Sequence, residues 1–272
     1  MKRVKEFKVI ECRGTAYEIG RQWGEGCKES ILKVSENIFN IMNLMYQSPR
    51  EEVISRAMKL FPLVQKFDPY LLEIMKGQAD TTGLSLEEIF TQKCMNELMF
   101  QYNNLAGLCT SFAATGKATQ DGKTILEQNI DFFPETPIDL LKVYHSDGPV
   151  QFILSFANAG EFTFSSAGFG ICANATIGKD YSYNIIPVAC YLPKVMRQKN
   201  IYDAMDILKH AIWAIIIWPM QTGKCAVLKA FITILKSFTR KKTCCCTPII
   251  ILRNVLKRVT PQICTNPTAT IV

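Results

Sequence analysis

Polar and apolar positions in the first hundred residues have the spacing of a mainly helical region that follows one short strand. The strand is predicted at Glu6–Cys12, where apolar and polar residues alternate. Glycines then mark a turn, and a helix is predicted over Glu25–Tyr46. Pro49 separates this helix from the next one, and a third helix is predicted over Pro69–Gly77.

A local signal marks the start of a further helix at Ser85. Its side chain is suited to cap the first turn, and Glu88 lies three residues later. This pair predicts a capping box, in which each side chain binds a backbone N–H of the other residue.

The pattern changes from helical to β-rich at Cys109. Seven strands are predicted: Thr110–Ala114, Thr124–Asp131, Leu140–Tyr144, Gln151–Phe156, Phe162–Phe164, Phe169–Ala175 and Tyr183–Ile186. Asp121–Gly122 lies between the first two and predicts a hairpin. A helix is expected after the strands, from Ile201 to about Ala211.

Composition agrees with an ordinary globular protein. The chain has 272 residues, of which 48% are hydrophobic and 20% charged. Its formal net charge is +7, and much of the excess follows residue 220, in Lys236, Arg240, Lys241, Lys242, Arg253, Lys257 and Arg258. A solvated surface is favoured over a nucleic-acid or anionic-membrane contact, and no nucleic-acid partner is predicted. The apolar run Ala211–Met220 is too short for a stable membrane span.

The cysteines indicate a reducing compartment. Eleven are present, an odd number, and no signal peptide precedes them. Most are therefore expected to be reduced thiols, and a cytoplasmic location is predicted. Cys244–Cys246 has no Cys-x-x-Cys spacing, and the only histidines are His145 and His210, so no metal site is predicted. No cofactor is predicted either.

Cys109 is the strongest candidate for chemistry. A small-residue turn precedes it, and the polar cluster Gln128–Asp131 follows across the predicted hairpin. Antiparallel pairing would bring Asn129 or Asp131 close to the start of the first strand. The loop Gly116–Thr124 is not a phosphate-binding loop, because five residues separate its glycines and a strand follows it. The alternative is that Cys109 is simply one buried thiol among eleven.

A cysteine freed at a chain terminus carries a nucleophile and a base together. An unperturbed thiol has a pKa of about 8.5 and an α-amine about 8, so the amine can accept the thiol proton. A carboxylate can orient that amine, and amide donors can stabilise an oxyanion.

Several blocks of the chain, taken in order, resemble the pattern of one enzyme family. They are Gly14–Gly20 with Gly24, Gly83–Ile89, Asn96–Glu97, Cys109–Phe112, Asp121–Thr124, Gln128–Asp131 and Ala167–Asn174. The family is that of the acyl-coenzyme A:6-aminopenicillanic acid acyltransferases, the C45 peptidases, which includes β-alanyl-dopamine hydrolases. The resemblance covers roughly residues 9 to 210.

The resemblance implies an α+β fold of the N-terminal nucleophile type, an αββα sandwich with a helical amino-terminal part. It implies cleavage between Leu108 and Cys109 into an α chain and a β chain that stay associated. Cys109 would be the nucleophile, supported by Asp131 and, as a weaker candidate, Asn129, while Asn174 would be an oxyanion donor or only a turn asparagine. The substrate would be a small-molecule amide or acyl donor, such as a β-alanyl amine, an N-acyl amine or an acyl-coenzyme A.

Two features depart from the family pattern. Leu108 stands where the family has glycine, and its Cβ restricts the backbone that an acyl shift must strain, so slower or absent cleavage is expected. The resemblance stops near residue 210, which predicts a domain over 1–210 and a divergent, basic, Cys-rich segment over 211–272. The alternative function is that of a truncated, inactive member that binds a partner.

Overall fold

The computed structural model describes residues 8–100, 110–114, 119–121, 125–129, 136–156, 158, 160–174, 185–204, 206–208 and 231–236. These residues form an α+β fold. The helices are α1 (Ala16–Gly26), α2 (Lys28–Tyr46), α3 (Arg50–Met58), α4 (Phe61–Phe67), α5 (Pro69–Thr82), α6 (Leu86–Lys93), α7 (Met95–Phe100) and α8 (Val188–Met196). The strands are β1 (Val9–Gly14), β2 (Thr110–Ala114), β3 (Ile125–Asn129), β4 (Ile138–His145), β5 (Val150–Phe156), β6 (Gly160–Ser165), β7 (Phe169–Asn174) and β8 (Phe231–Lys236).

Side-chain caps determine where several helices begin. The predicted capping box of Ser85 and Glu88 is confirmed at the start of α6, and an equivalent box of Thr15 and Glu18 starts α1. Asp68 caps α5 by accepting a hydrogen bond from the backbone N–H of Leu71. These helices therefore start where their own sequence satisfies the free N–H groups of the first turn.

Helices α1 and α5 are in unusually close contact because glycines lie at their crossing. A Cβ atom on Gly20 would lie 2.0 Å from the carbonyl oxygen of Ile74, and one on Gly77 would lie 2.3 Å from the carbonyl oxygen of Tyr17. Gly24 is similarly close to the side chain of Thr81. The two backbones approach each other at distances that no larger residue permits.

The main sheet has the strand order β1-β4-β5-β6-β7-β8. β1 runs parallel to β4, with Val9 opposite Leu140, and each later neighbour pairs antiparallel. β1 precedes the helices in sequence, whereas β4 follows β2 and β3. Segments before and after Cys109 therefore share one sheet.

The helices cover one face of this sheet. Leu141 and Ile153 point to that face and belong to the larger hydrophobic cluster, which also contains Ile19 and Trp23 of α1. A second cluster lies between α8 and β7 and contains Ile171. The core therefore fills the space between the helices and this face of the sheet.

The opposite face carries the aromatic pair Phe152 and Phe164, which are cross-strand neighbours and exposed. Gly170 pairs with Phe164 and so faces the same side. A Cβ atom on Gly170 would lie 3.1 Å from Cδ2 of Leu126, which belongs to β3. The β2–β3 hairpin therefore packs against the face that the helices leave uncovered.

Three expectations about the elements were wrong. The helix predicted over 25–46 is two helices, α1 and α2, which meet at Cys27. The third helix continues past Gly77 to Thr82, where Gly83 ends it in the left-handed conformation. Of the strand predicted over Tyr183–Ile186, the first two residues lie outside the described part of the chain, and Ile185 and Ile186 belong to no strand but precede the unpredicted helix α8. A proline inside a segment normally argues against a helix, and Pro193 lies inside α8. Almost the whole of α8 is buried, and this packing stabilises the helix despite the proline.

Candidate functional site

The candidate site is built around the hairpin that follows Cys109. β2 and β3 pair antiparallel, as predicted, and residues 119–121 lie in the turn region between them. The register places Thr110 opposite Asn129 and Ala114 opposite Ile125. Asn129, one of the predicted site residues, therefore ends its strand opposite the residue that directly follows Cys109.

Asn174 ends a different strand that contacts this hairpin. It is the last residue of β7 and lies opposite Phe231 of β8. β7 packs against the hairpin through Gly170 and Leu126. The strands that end in Asn129 and Asn174 therefore pack against each other. Leu108, Cys109 and Asp131 lie outside the described residues.

The segment before Cys109 contains a buried acid to which the sequence assigned no role. Glu97 lies in α7 and is 1% exposed. Its Oε1 accepts a hydrogen bond of 2.9 Å from the backbone N–H of Val188, the first residue of α8. The available signal was a single acid within the otherwise mostly apolar stretch Met95–Phe100.

The surroundings of Glu97 favour its protonated form. Burial raises the pKa of Glu97 to about 7, against the backbone N–H groups of Val188 and of Glu97 itself, which favour the carboxylate. Burial also raises the pKa of the Cys94 thiol and of the Tyr191 phenol, and the charge of Glu97 adds to both shifts. This is a compact group of buried titratable side chains.

Three buried amides connect the helices to the turn between β5 and β6. Gln78 Nε2 donates to Asn158 Oδ1 over 3.2 Å, and Asn158 Nδ2 donates to Gln92 Oε1 over 2.8 Å. Gln92 in turn donates to the backbone carbonyl of Ile31. Asn158 has a positive φ of 50°, which asparagine tolerates better than most residues. The amides hold this turn against the helical layer.

A second polar connection joins α5 to the sheet. The Tyr70 hydroxyl lies 2.8 Å from His145 Nδ1, and His145 Nε2 lies 2.7 Å from Gln151 Oε1. Since the Gln151 oxygen can only accept, Nε2 carries a proton, and in the neutral imidazole Nδ1 then accepts from the Tyr70 hydroxyl. Both sets of hydrogen bonds join the helices to the sheet, so these polar residues have a structural role.

Neither a metal site nor a membrane-spanning helix is found in the part of the chain that the structure describes. There, no three His, Cys, Asp or Glu side chains are grouped to hold a metal ion. No helix among those residues is long and apolar enough to cross a bilayer. Four cysteines in the same part of the chain, Cys12, Cys27, Cys94 and Cys190, are buried and form no disulfide bond.

The chain matches no model of a known protein family, and no curated protein sequence matches it. Assignment of chemistry to this chain therefore depends on its own residues and their geometry.

Proposed function

We propose that this protein is a self-processing cysteine amide hydrolase or acyltransferase that acts on linear C–N amide bonds. Cys109 is the nucleophile, and the Leu108–Cys109 bond is the one it cleaves in itself. Asp131, Asn129 and Asn174 are the supporting groups. The observation that carries the proposal is the hairpin register, in which Thr110 lies opposite Asn129.

The arrangement of layers supports the finer fold that this function requires. Helices cover one face of the main sheet, and the hairpin packs against the other through Leu126 and Gly170. In an αββα sandwich the hairpin would belong to the second sheet. The exposed pair Phe152 and Phe164 lies on this same face, beside the part that the hairpin covers.

Self-cleavage would proceed as an acyl shift. The Cys109 sulfur attacks the carbonyl carbon of Leu108, the C–N bond breaks, and the nitrogen takes up a proton to become an α-amine. Water then hydrolyses the thioester, which leaves a carboxylate on Leu108 and a free thiol on Cys109. Amide groups of Asn129 or Asn174 would stabilise the oxyanion of each addition step.

The mature enzyme would use the same sulfur on a substrate. The new α-amine of Cys109 accepts the thiol proton, and the thiolate attacks the substrate carbonyl. The substrate's C–N bond then breaks, and the substrate's amine leaves with that proton. Water resolves the acyl-enzyme in hydrolysis, and a second amine resolves it in transfer. β-Alanyl amines, N-acyl amines and acyl-coenzyme A donors fit this chemistry, which needs no cofactor. The buried cysteines that form no disulfide bond support a reducing, cytoplasmic location.

Contacts across the proposed cut support a stable pair of chains after cleavage. β1 lies before the cut and forms a parallel ladder with β4, which lies after it. Buried Asp68 and partly buried Arg197 form an ion pair of 2.5 Å across the same division. The α chain (1–108) and the β chain (109–272) would therefore remain together without a covalent link.

Intact-mass analysis of the purified protein tests the proposal. We expect fragments of residues 1–108 and 109–272, which Cys109→Ala abolishes and the matched substitution Cys225→Ala retains. Leu108→Gly should accelerate cleavage by about tenfold, since removing the Cβ lowers the strain of the acyl shift by about 1.4 kcal/mol. A single uncleaved mass for wild type and Leu108→Gly would overturn the proposal and leave the truncated, partner-binding alternative.

A further inference from the structure

Glu97 connects two helices that lie on opposite sides of the proposed cut. It belongs to α7, which leads towards Leu108, and its carboxylate accepts the first backbone N–H of α8. That N–H has no partner within its own helix, because it belongs to the first turn. Glu97 therefore caps a helix that is 91 positions away in sequence.

One oxygen of this carboxyl group is left without a partner. Oε2 of Glu97 is buried and has no hydrogen-bond partner among the described residues. A buried carboxylate with one unsatisfied oxygen is costly, whereas a neutral carboxylic acid loses less solvation. The geometry alone therefore favours a bound proton at this position.

Within the described ranges, the titratable neighbours of Glu97 do not supply a compensating charge. The Cys94 thiol, the Cys190 thiol and the Tyr191 phenol are buried beside it or beside one another, and none carries a positive charge. On α6, the ammonium of Lys93 lies 5.3 Å from the centre of the Trp23 ring and does not act on the pKa of Glu97.

The cations of α3, which also packs against α7, have acidic partners of their own. Arg50 pairs with Glu88, and Arg56 pairs with Glu52. Neither arginine acts on the pKa of Glu97. The proton itself is therefore the means of neutralising this site within the described part of the chain.

We propose that Glu97 is a proton-binding positioning residue, and that α7 and α8 are held together most firmly when its carboxyl group is protonated. Its effect on cleavage rests on the proposed function, because α7 leads into the segment that contains the Leu108–Cys109 bond. Proton binding at Glu97 does not depend on that function.

The direction of the pH effect follows from the two states. In the unfolded chain Glu97 has its ordinary pKa of 4.5, and in the folded chain burial raises it to about 7. A raised pKa stabilises the fold fully below the unfolded value, and this stabilisation is lost as pH rises through the folded value. Glu97 should therefore weaken the fold between about pH 4.5 and pH 7.

Urea unfolding in a Cys109→Ala background, where the chain stays in one piece, measures this effect. Between pH 5.5 and pH 8.5 the unfolding equilibrium constant of the background protein should rise about 30-fold more than that of the same protein with Glu97→Gln. The amide introduced by Glu97→Gln keeps an oxygen that accepts from Val188 and cannot titrate. Glu87→Gln, an exposed change on α6, should behave like the background. Equal pH dependence with and without Glu97→Gln overturns the proposal.

NMR of the Cys109→Ala protein with ¹³C-labelled glutamate keeps the test decisive if Glu97→Gln does not fold. One carboxyl resonance should titrate near pH 7. If every glutamate resonance titrates below about pH 5.5, Glu97 does not hold a proton at neutral pH and the proposal fails.

Cleavage with Cys109 intact tests the positioning role. The ratio of the wild-type rate to that of Glu97→Gln should be constant below about pH 6 and fall at least about threefold by about pH 8.5. A ratio that does not change with pH overturns the positioning role. Absence of cleavage in both proteins overturns the proposed function with it, while the unfolding data still decide whether Glu97 binds the proton.

Discussion

The two faces of strand β5 differ in a way that residue polarity does not predict. On the face that meets the helices, Gln151 is 3% and Ser155 1% exposed, beside the apolar Ile153. On the opposite face, Phe152 is 42% exposed and its cross-strand neighbour Phe164 is 56% exposed. Polar side chains are therefore buried while aromatic side chains are in contact with solvent.

This difference shows that burial in the sheet is determined by what packs on each face. The helices cover one face, where the Tyr70 hydroxyl of α5 lies 2.8 Å from His145 of β4 and His145 in turn lies 2.7 Å from Gln151. The hairpin covers the other face through Leu126 and leaves the aromatic pair exposed. The helical side is the one that stabilises the fold, and the hairpin side is the one on which the proposed chemistry lies.

The largest expected effect comes from truncating neighbours on the two faces of β5. Ile153→Ala removes a fully buried side chain and should lower the free energy of unfolding by about 4 kcal/mol. Phe152→Ala removes a larger but exposed side chain and should cost only about 1 kcal/mol, the value of its pairing with Phe164. Urea unfolding at one pH measures both.

The Cys109→Ala background makes the comparison independent of cleavage. If Phe152→Ala costs as much as Ile153→Ala, the aromatic face is buried in solution and the contrast between the faces is wrong.

Features with local causes were predictable from the sequence. The capping box of Ser85 and Glu88 needs only a hydroxyl and a carboxylate three residues apart, and the β2–β3 hairpin follows from strand patterns on either side of Asp121. α8 was not predictable, because its helix depends on packing against β7 and contains Pro193. The break between α1 and α2 at Cys27 was not predictable either, because no side chain caps the start of α2 there.

The candidate site was predictable only in part, for the same reason. Asn129 or Asp131 was expected near the start of β2, because pairing across a hairpin follows from its two strands, and the register places Asn129 opposite Thr110. Glu97 was not expected, because its partner Val188 is distant in sequence and its raised pKa arises from burial. The amides Gln78, Asn158 and Gln92 are found only when three separate segments are brought together.

The block Gly14–Gly20 near the amino terminus has structural roles that explain much of its sequence pattern. Gly14 adopts a positive φ of 111° before α1, and Glu18 forms the capping box with Thr15. Gly20 allows α1 to reach α5. The residues that carried the resemblance in this block therefore build the helical layer.

The next largest effect is expected at this helix crossing. Gly20→Ala places a Cβ atom 2.0 Å from the Ile74 carbonyl oxygen, so the two backbones must separate. The gain of about 1 kcal/mol in helix propensity is outweighed, and we expect a net loss of about 3 kcal/mol in urea unfolding. Gly83→Ala is the matched control, because its Cβ meets nothing within 4 Å. It should cost about 1 kcal/mol for its positive φ alone. Equal losses for the two variants would show that the helices can move apart freely.

The smallest effect on stability is expected from removing one polar contact on the face of the sheet that the helices cover. Tyr70→Phe removes the hydroxyl that donates to His145 Nδ1 and keeps the ring, so it should cost about 1 kcal/mol. Tyr17→Phe removes a hydroxyl contact to Asp80 that is exposed to water, so it should cost less than Tyr70→Phe. A Tyr70→Phe protein as stable as Tyr17→Phe would mean that apolar packing alone holds the helices on this face of the sheet.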